Sequence, residues 1–518
     1  MKSVRKSVSL VLALCMVASA ALAGCGNTPA ASNAATPASA ASTAEASSAA
    51  ASEAPKEEVK LTFWTCGTAQ DQQARVVDAI NKYLKETLKS NIQIDYQELG
   101  WGDDMTQKVN NALSTGQSLD VVFTGNWIAN VKQNALAGNF EDLGPYLEKY
   151  PEIQKLLGDQ FIKASQINGK TYALPTNKEK FHNWGYLLKK DLVEKYKIDV
   201  KSIKSEKDLE PWLDKILKNE PGITPLAVAQ MDVPGVKFLD WDNVSDDDVP
   251  GAFYPSEDPS KSTIVNQYVT PEMVEFYKNM KTYLAKKYIK ADAITSPGLT
   301  NEMQTGKYFA AVSQLKPGKD GEMSASTGVD WVQADVTAPH ITNRETTGSM
   351  LAIPKQSKHK DEAMQFINLL YTDANLLNLL VYGEEGKDYT KGSDGKITLT
   401  KGSGYASGNG WRWGDQTKTY LLANEASDKY DQWKKLDSSL KPLQSYGFIF
   451  TNQDTAIQTV TANTKAVTQE YYKGLFMGQA KDVDATVKQM DAKYKAAGVD
   501  KLLKTMQSEY DAWKAAKK

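Results

Sequence analysis

The sequence predicts an α/β protein, and three observations carry that reading. Between residues 59 and 123, strand-like and helix-like patterns alternate in the order β-α-β-α-β, which calls for parallel strands joined by crossover helices. The run Leu119-Asp120-Val121-Val122-Phe123 is short and almost continuously apolar, as expected of a strand covered on both faces. About 460 residues follow position 58, too many for one ordinary core and suited to two or three domains.

Taken in order, Val59-Lys60-Leu61-Thr62-Phe63-Trp64 alternates and runs into Thr65-Cys66-Gly67-Thr68, a strand followed by a loop. Val77, Ile80, Leu84 and Leu88 fall at helical spacing through 71–89, with Thr68 or Asp71 available as a cap. A second strand follows at Ile92, Ile94 and Tyr96. After the loop Gly100-Trp101-Gly102-Asp103-Asp104, Met105, Val109 and Leu113 mark a helix closed by Gly116. Ligands of such sheets bind beyond the carboxyl ends of the strands. Here those ends carry Trp64, Thr65, Trp101, Asp103, Asp104, Asn126 and Trp127.

The first 58 residues read differently. Lys2, Arg5 and Lys6 precede an apolar run from Val8 to Ala23, then Leu22-Ala23-Gly24-Cys25: a secretory signal with small residues before the cut, spanning 1–24. This stretch resembles the signal of bacterial lipoproteins, which implies that Cys25 is diacylated and becomes the first mature residue. Two acyl chains suffice for stable anchoring, whereas one is marginal. Residues 26–58 are Ala, Ser, Thr, Pro and Glu with almost no large apolar side chain, a composition that cannot offset its own ordering entropy. As a flexible coil this tether spans roughly 30 Å.

Composition excludes several classes. Removing the three cations of residues 1–24 takes the net charge from −2 to −5, and there is no basic stripe of the kind that binds nucleic acid. Cys66 is left without a partner once Cys15 and Cys25 are accounted for, so there is no disulfide framework. The three histidines, His182, His340 and His359, have no ligand spacing and are expected to be surface or hydrogen-bonded residues. No metal site or cofactor is expected. The acidic run Ser245-Asp246-Asp247-Asp248 lacks the glycine and terminal glutamate of a calcium loop and reads as a solvated loop. No phosphate-binding glycine motif occurs, so any transport ATPase is a different chain.

Further along, Lys170-Thr171-Tyr172-Ala173-Leu174-Pro175 precedes Trp184-Gly185-Tyr186-Leu187-Leu188-Lys189-Lys190-Asp191-Leu192. Gly306-Lys307-Tyr308-Phe309-Ala310-Ala311-Val312 comes next, and then Ala352-Ile353-Pro354-Lys355-Gln356-Ser357-Lys358 before a helix over 361–370. In this order the segments resemble family 1 extracellular solute-binding proteins, over nearly all of 59–385. The resemblance implies a two-lobe, periplasmic-binding-protein-like (type II) clamp with mixed and parallel sheets, flanking helices and interlobe crossing strands. One lobe would take 59–175 plus 338–385, and the other 176–337 plus 386–518. It also implies a monomer on the outer face of the bacterial cell membrane that passes an oligosaccharide to the permease subunits of an ABC transporter.

A sugar presents hydroxyls at its edge and C–H groups on its faces, so its site needs flat aromatics beside polar groups. Of eleven tryptophans, Trp64, Trp101, Trp127, Trp241, Trp411 and Trp413 sit beside Asp, Asn or Gly, while Trp184 in an alternating strand reads as core. Trp411 and Trp413, flanked by glycines with Arg412 between them, are hard to bury as a pair. They are expected to face Trp127 across the ligand. Asn126 is a further hydroxyl partner, one of Asp103 and Asp104 is expected in the cleft, and Glu179 stands where the resembled maltodextrin-binding group places a hydroxyl-binding carboxylate. The second reading is a peptide or other non-sugar ligand. The third is a secreted glycoside hydrolase, for which the abundance of Asp and Glu decides nothing.

The anchor yields the first prediction. The Cys25→Ala protein should appear in the soluble fraction after export, because the acyl chains supply the strong membrane affinity; retention on membranes through a high-salt wash would contradict the anchor.

Overall fold

The structure is a computed structural model that describes residues 57–229, 232–254, 262–296, 298–405 and 408–517. Cys25 and most of the tether lie outside the described residues. Two sheets organise the body. In the first, the strand order is Ile92–Glu98, Val59–Thr65, Val121–Thr124, Met350–Ala352, Leu174–Pro175. Its first three strands are parallel, as the alternation of periodicities requires, and Met350–Ala352 enters antiparallel to both of its neighbours. In the second, the order is Trp331–Asp335, Asn183–Lys189, Tyr308–Leu315, Thr224–Ala227. There Asn183–Lys189 is antiparallel to both neighbours, and Tyr308–Leu315 is parallel to Thr224–Ala227.

Local sequence accounts for the helices around the first sheet. The helix expected over 71–89 forms as Gln73–Lys82 and widens into a π turn at Tyr83–Thr87. Val76, Ile80 and Leu84 bury its inner face. The helix Asp103–Thr115 ends where Gly116 takes φ 71°, and the Gly116 N–H returns to the Ala112 carbonyl, a left-handed cap that glycine adopts without steric cost.

The chain passes between the sheets after Pro175 and returns before Met350. These crossings are stitched together. Thr176 N–H donates to Ser349 O at 3.0 Å, and His182 and His340 exchange backbone bonds of 3.0 Å each. A third stretch joins them: Asn177 N–H donates to Gly414 O at 2.7 Å, and Leu443 N–H to Ile341 O at 2.8 Å.

Each sheet has its own apolar core, and the tail is divided between them. The expectation that 386–518 joins the second lobe is corrected for its first part: Tyr389, Ile397, Tyr405, Trp413 and Leu422 pack in the first core. Val467, Tyr471, Val487, Met490 and Tyr494 pack in the second. The physical reason is Trp413, fully buried with its ring edge-on to Phe63 at 5.5 Å and to Tyr96 at 5.4 Å. Beside it Arg412, also fully buried, donates from Nη2 to Glu98 Oε1 at 2.8 Å and from Nη1 to the Cys66 carbonyl. A side chain on Gly67 would collide with this guanidinium. Cys66 itself is a buried free thiol, and burial pushes it up to about 12.

The acidic run 246–248 is not a solvated loop. Asp247 forms a two-pronged pair with Arg344 at 3.1 and 3.3 Å, and Lys465 reaches Asp248 at 3.1 Å. Asp246 accepts from Asn130 and Gln133 at 3.1 Å each, joining the loop to the helix Val131–Leu136 beside the first sheet. Among the described residues no helix is long and apolar enough to cross a membrane.

Breaking a buried ion pair strands the remaining charge, which commonly costs about 3–5 kcal/mol. Glu98→Gln should therefore lower unfolding stability by about that amount, read from the urea midpoint at constant slope. A variant within 0.5 kcal/mol of the parent, roughly the scatter of surface substitutions, would show that the pair does not hold this segment.

Candidate functional site

A cleft of about 420 Å³ opens where the ends of the first-sheet strands face the second sheet, a size in the range of small-molecule sites. One wall is aromatic. Trp127 follows the strand Val121–Thr124, Trp101 follows Ile92–Glu98, and Trp411 comes from the segment that Arg412 anchors. The Trp411 ring centroid lies 6.3 Å from those of both Trp101 and Trp127, at interplanar angles of 32° and 50°. Phe123 meets Trp411 edge-on at 5.7 Å and supports the group from below.

The indole N–H groups are already committed. Trp127 Nε1 donates to Gly348 O at 2.7 Å, Trp101 Nε1 to Thr68 Oγ1 at 3.1 Å, and Trp411 Nε1 to Asn409 Oδ1 at 3.3 Å. These bonds set the ring planes, so what the wall offers a ligand is ring face. Trp127 is 44 % exposed, unusual for tryptophan outside a binding surface. The backbone below is held as firmly: the Trp411 carbonyl accepts from Thr176 Oγ1 at 2.9 Å and from Ser349 Oγ at 2.8 Å.

The opposite wall is charged. Lys316, buried at the end of the strand Tyr308–Leu315, reaches Glu179 Oε2 at 2.8 Å and Glu322 Oε2 at 3.0 Å. Lys178 pairs with Glu179 Oε1 at 3.0 Å, and Lys319 with Glu322 Oε1 at 2.7 Å. Three carboxylates border the cleft, Glu179, Asp232 and Asp247, and each has a cation: Lys237 lies 3.5 Å from Asp232 and Arg344 holds Asp247. Burial opposes ionisation of Glu179, but Lys178 and Lys316 outweigh it and hold its carboxyl below the ordinary range. Arg344 and Lys237 likewise overcome burial at Asp247 and bring it down to about 2. A glycosidic general acid needs the reverse, a carboxyl kept protonated near neutrality. At Glu179 and Asp247 the neighbouring cations work against that state.

Of the residues expected at the site, Trp101, Asn126, Trp127, Glu179 and Trp411 border this one cleft. The others do not. Trp64 and Thr65 are buried at the end of the strand Val59–Thr65, Trp64 within the apolar core packed on the first sheet. Trp413 is core, as its packing on Phe63 shows. Trp411 and Trp127 stand side by side on one wall, not opposed across a ligand, since Arg412 carries the 410–413 segment to the first sheet. Asp103 and Asp104 open the helix Asp103–Thr115; the Asp104 side chain is exposed away from the cleft, and that of Asp103 lies outside the described residues.

Sequence reasoning missed Lys178, Gln314, Lys316, Lys319, Asp247 and Arg344, all on the charged wall. One signal was available: Lys316 stands at the carboxyl end of a strand, where the rule that located Trp101 and Trp127 applies equally.

The contrast between the core ring Trp413 and the cleft ring Trp127 is testable without a ligand. Trp413→Ala should destabilise the fold by about 3–5 kcal/mol, the usual result of emptying an aromatic core position, whereas Trp127→Ala should leave the melting temperature nearly unchanged. Equal losses in the two variants would contradict this assignment.

Comparison with known proteins agrees with the geometry. The family model described as bacterial extracellular solute-binding protein matches residues 71–376, and a domain of unknown function, DUF3502, matches 444–515. A protein of Streptococcus pneumoniae serotype 4, described as a carbohydrate ABC transporter substrate-binding protein, is 28 % identical over 467 residues. That match covers 88 % of this chain and 91 % of the relative. The crystal structure of the N-glycan transport solute binding protein NgtS from Streptococcus pneumoniae, in complex with Man5GlcNAc, superposes with a TM-score of 0.76 at 26 % identity. It covers 89 % of this chain and 99 % of the other. The alginate-binding protein AlgQ2 shares the fold at a TM-score of 0.58 and 15 % identity, covering 88 % of this chain and 98 % of its own. With a two-sheet clamp, a cleft between its halves and a family match over most of the body, the chain belongs to the bacterial extracellular solute-binding proteins.

Proposed function

We propose that this protein captures an oligosaccharide in the cleft between its two lobes and hands it to the permease of an ABC transporter, while the diacylated Cys25 keeps it, as a monomer, on the outer face of the cell membrane. The observation that carries the reading is the wall of Trp101, Trp127 and Trp411. Three indoles whose N–H groups are tied to the protein present faces to the cleft, and a sugar ring offers C–H groups to such faces while its hydroxyls need the charged groups opposite. The relationship to a carbohydrate transporter component and to a glycan-bound structure supports the same ligand class. Because ligand must touch both walls, binding favours the closed arrangement of the lobes. The pairing of every cleft carboxylate with a cation supports release of an unaltered ligand over hydrolysis.

A thermal-shift screen over oligosaccharides identifies the ligand, since one present at a hundred times its dissociation constant adds about 2.7 kcal/mol to the folded state. With that ligand, Trp127→Ala and Trp411→Ala should each weaken binding about thirtyfold, the loss of one well-packed aromatic anchor. Affinity unchanged in both variants, or turnover of the glycan into shorter products, would overturn the proposal.

A further inference from the structure

Away from the cleft wall, the crossing stretches bring two histidines together. His182 and His340 pair through their backbones, and their ring centroids are 4.4 Å apart. Asp240, which ends the helix Pro234–Leu239 at φ 46°, sets its carboxylate against both rings. Oδ1 is 3.2 Å from His182 Nε2, and Oδ2 is 3.1 Å from His340 Nε2. A non-glycine residue at positive φ is strained unless its surroundings hold it there.

The other nitrogen of each ring is engaged. His182 Nδ1 lies 2.6 Å from Glu345 Oε1, and Glu345 Oε2 accepts from the Thr342 N–H and hydroxyl at 2.6 and 3.1 Å. His340 Nδ1 lies 3.2 Å from the Ala338 carbonyl. Carbonyl and carboxylate oxygens only accept, so each Nδ1 carries a proton, and in a neutral ring Nε2 is then a lone pair. Two lone pairs aimed at one carboxylate repel it. The trio therefore calls for positive charge at its centre.

We infer that His182 Nε2, His340 Nε2 and an Asp240 carboxylate oxygen form a binding site for one zinc-type divalent ion. The three donor atoms lie within 4.8 Å of one another. Zinc bonds of about 2.0–2.1 Å in tetrahedral geometry separate donors by about 3.4 Å, close to the 3.1 Å between His340 Nε2 and Asp240 Oδ2. The surroundings match what orients metal ligands: an acceptor on the far nitrogen of each imidazole, and a donor on the carboxylate. That donor is Trp184 Nε1, 2.9 Å from Asp240 Oδ1. Asp240 Oδ2 makes no hydrogen bond of good geometry and is the oxygen free to coordinate.

His182 and Asp240 also border a cavity of about 70 Å³, enough to admit a water as fourth ligand. An ion here would tie two crossing stretches to the segment 240–247, whose Asp247 borders the cleft. The competing occupant is a proton. Burial opposes charge on His182, but Glu345 and Asp240 outweigh it and lift the ring to about 9.

The test strips the full chain with a chelator and titrates it calorimetrically with zinc chloride at neutral pH, with magnesium chloride and calcium chloride as controls. One zinc per chain is expected, with neither control ion binding at this site. His340→Ala, at a partly exposed ring whose loss the fold tolerates better than that of His182, should weaken zinc binding at least about tenfold. Glu345→Gln, which removes the charge behind His182 while keeping an amide oxygen for the Thr342 cap, should weaken it about 10–100-fold. Circular dichroism melting checks that both variants fold. A parent protein that takes up no zinc, or a folded His340→Ala protein that binds it as tightly, overturns the proposal and leaves a protonated histidine cluster only.

Discussion

The ion pair of Arg412 with Glu98 is the constraint on which the cleft depends. Both side chains are almost completely buried, and the desolvation of two charges makes such a pair a poor source of net stability. Its consequence is positional. With the guanidinium committed to Glu98 and to the Cys66 carbonyl, the segment from Gly410 to Trp413 can lie in only one way across the strand ends. Trp413 goes into the core and Trp411 into the cleft.

That placement passes to the hinge. The Trp411 carbonyl is gripped by the hydroxyls of Thr176 and Ser349, one from each of two crossing stretches. Asn177 binds Gly414 and Asp415 just beyond. The aromatic wall and the crossings are therefore one hydrogen-bonded unit. The charged wall adds further contacts. Lys316 sits between Glu179 and Glu322 over the face of Trp433, 4.7 Å from its centroid, an arrangement in which each buried charge meets an opposite one and a ring face. Gln416 N–H donates to the Asn177 carbonyl and its side chain reaches Lys316 at 3.5 Å, which links the two walls, and the contacts of Asp246 with Asn130 and Gln133 brace the two halves from the side.

Much of the first sheet was legible because its signals are local. The alternation in Val59–Thr65, the apolar run before Thr124 and the glycine after Thr115 each act within a few residues. The rule placing ligands beyond strand ends pointed to Trp101, Asn126 and Trp127, which border the cleft, without any knowledge of the second sheet. The same rule selected Trp64 and Thr65, which are buried away from that cleft, because whether the last side chains of a strand are covered depends on what packs over the sheet from elsewhere in the chain. The pair Trp411 and Trp413 was read as one unit since both lie among glycines. Local sequence says that the segment is unlike its surroundings, but not which ring turns inward.

By itself, then, the sequence determined the α/β class and the family, both written in contiguous motifs or in periodicity, and it carries the motif on which the proposed lipid anchor at Cys25 rests. Only the tertiary structure decided that residues 389–422 pack in the first core, that Glu179 borders the cleft with both oxygens already paired, and that His182, Asp240 and His340 converge. The physical reason is common to these cases. Each depends on a partner far away in the chain, Glu98 for Arg412, Lys316 for Glu179 and the crossing stretches for the histidines. Side-chain pairing at that range leaves no periodic trace along the chain.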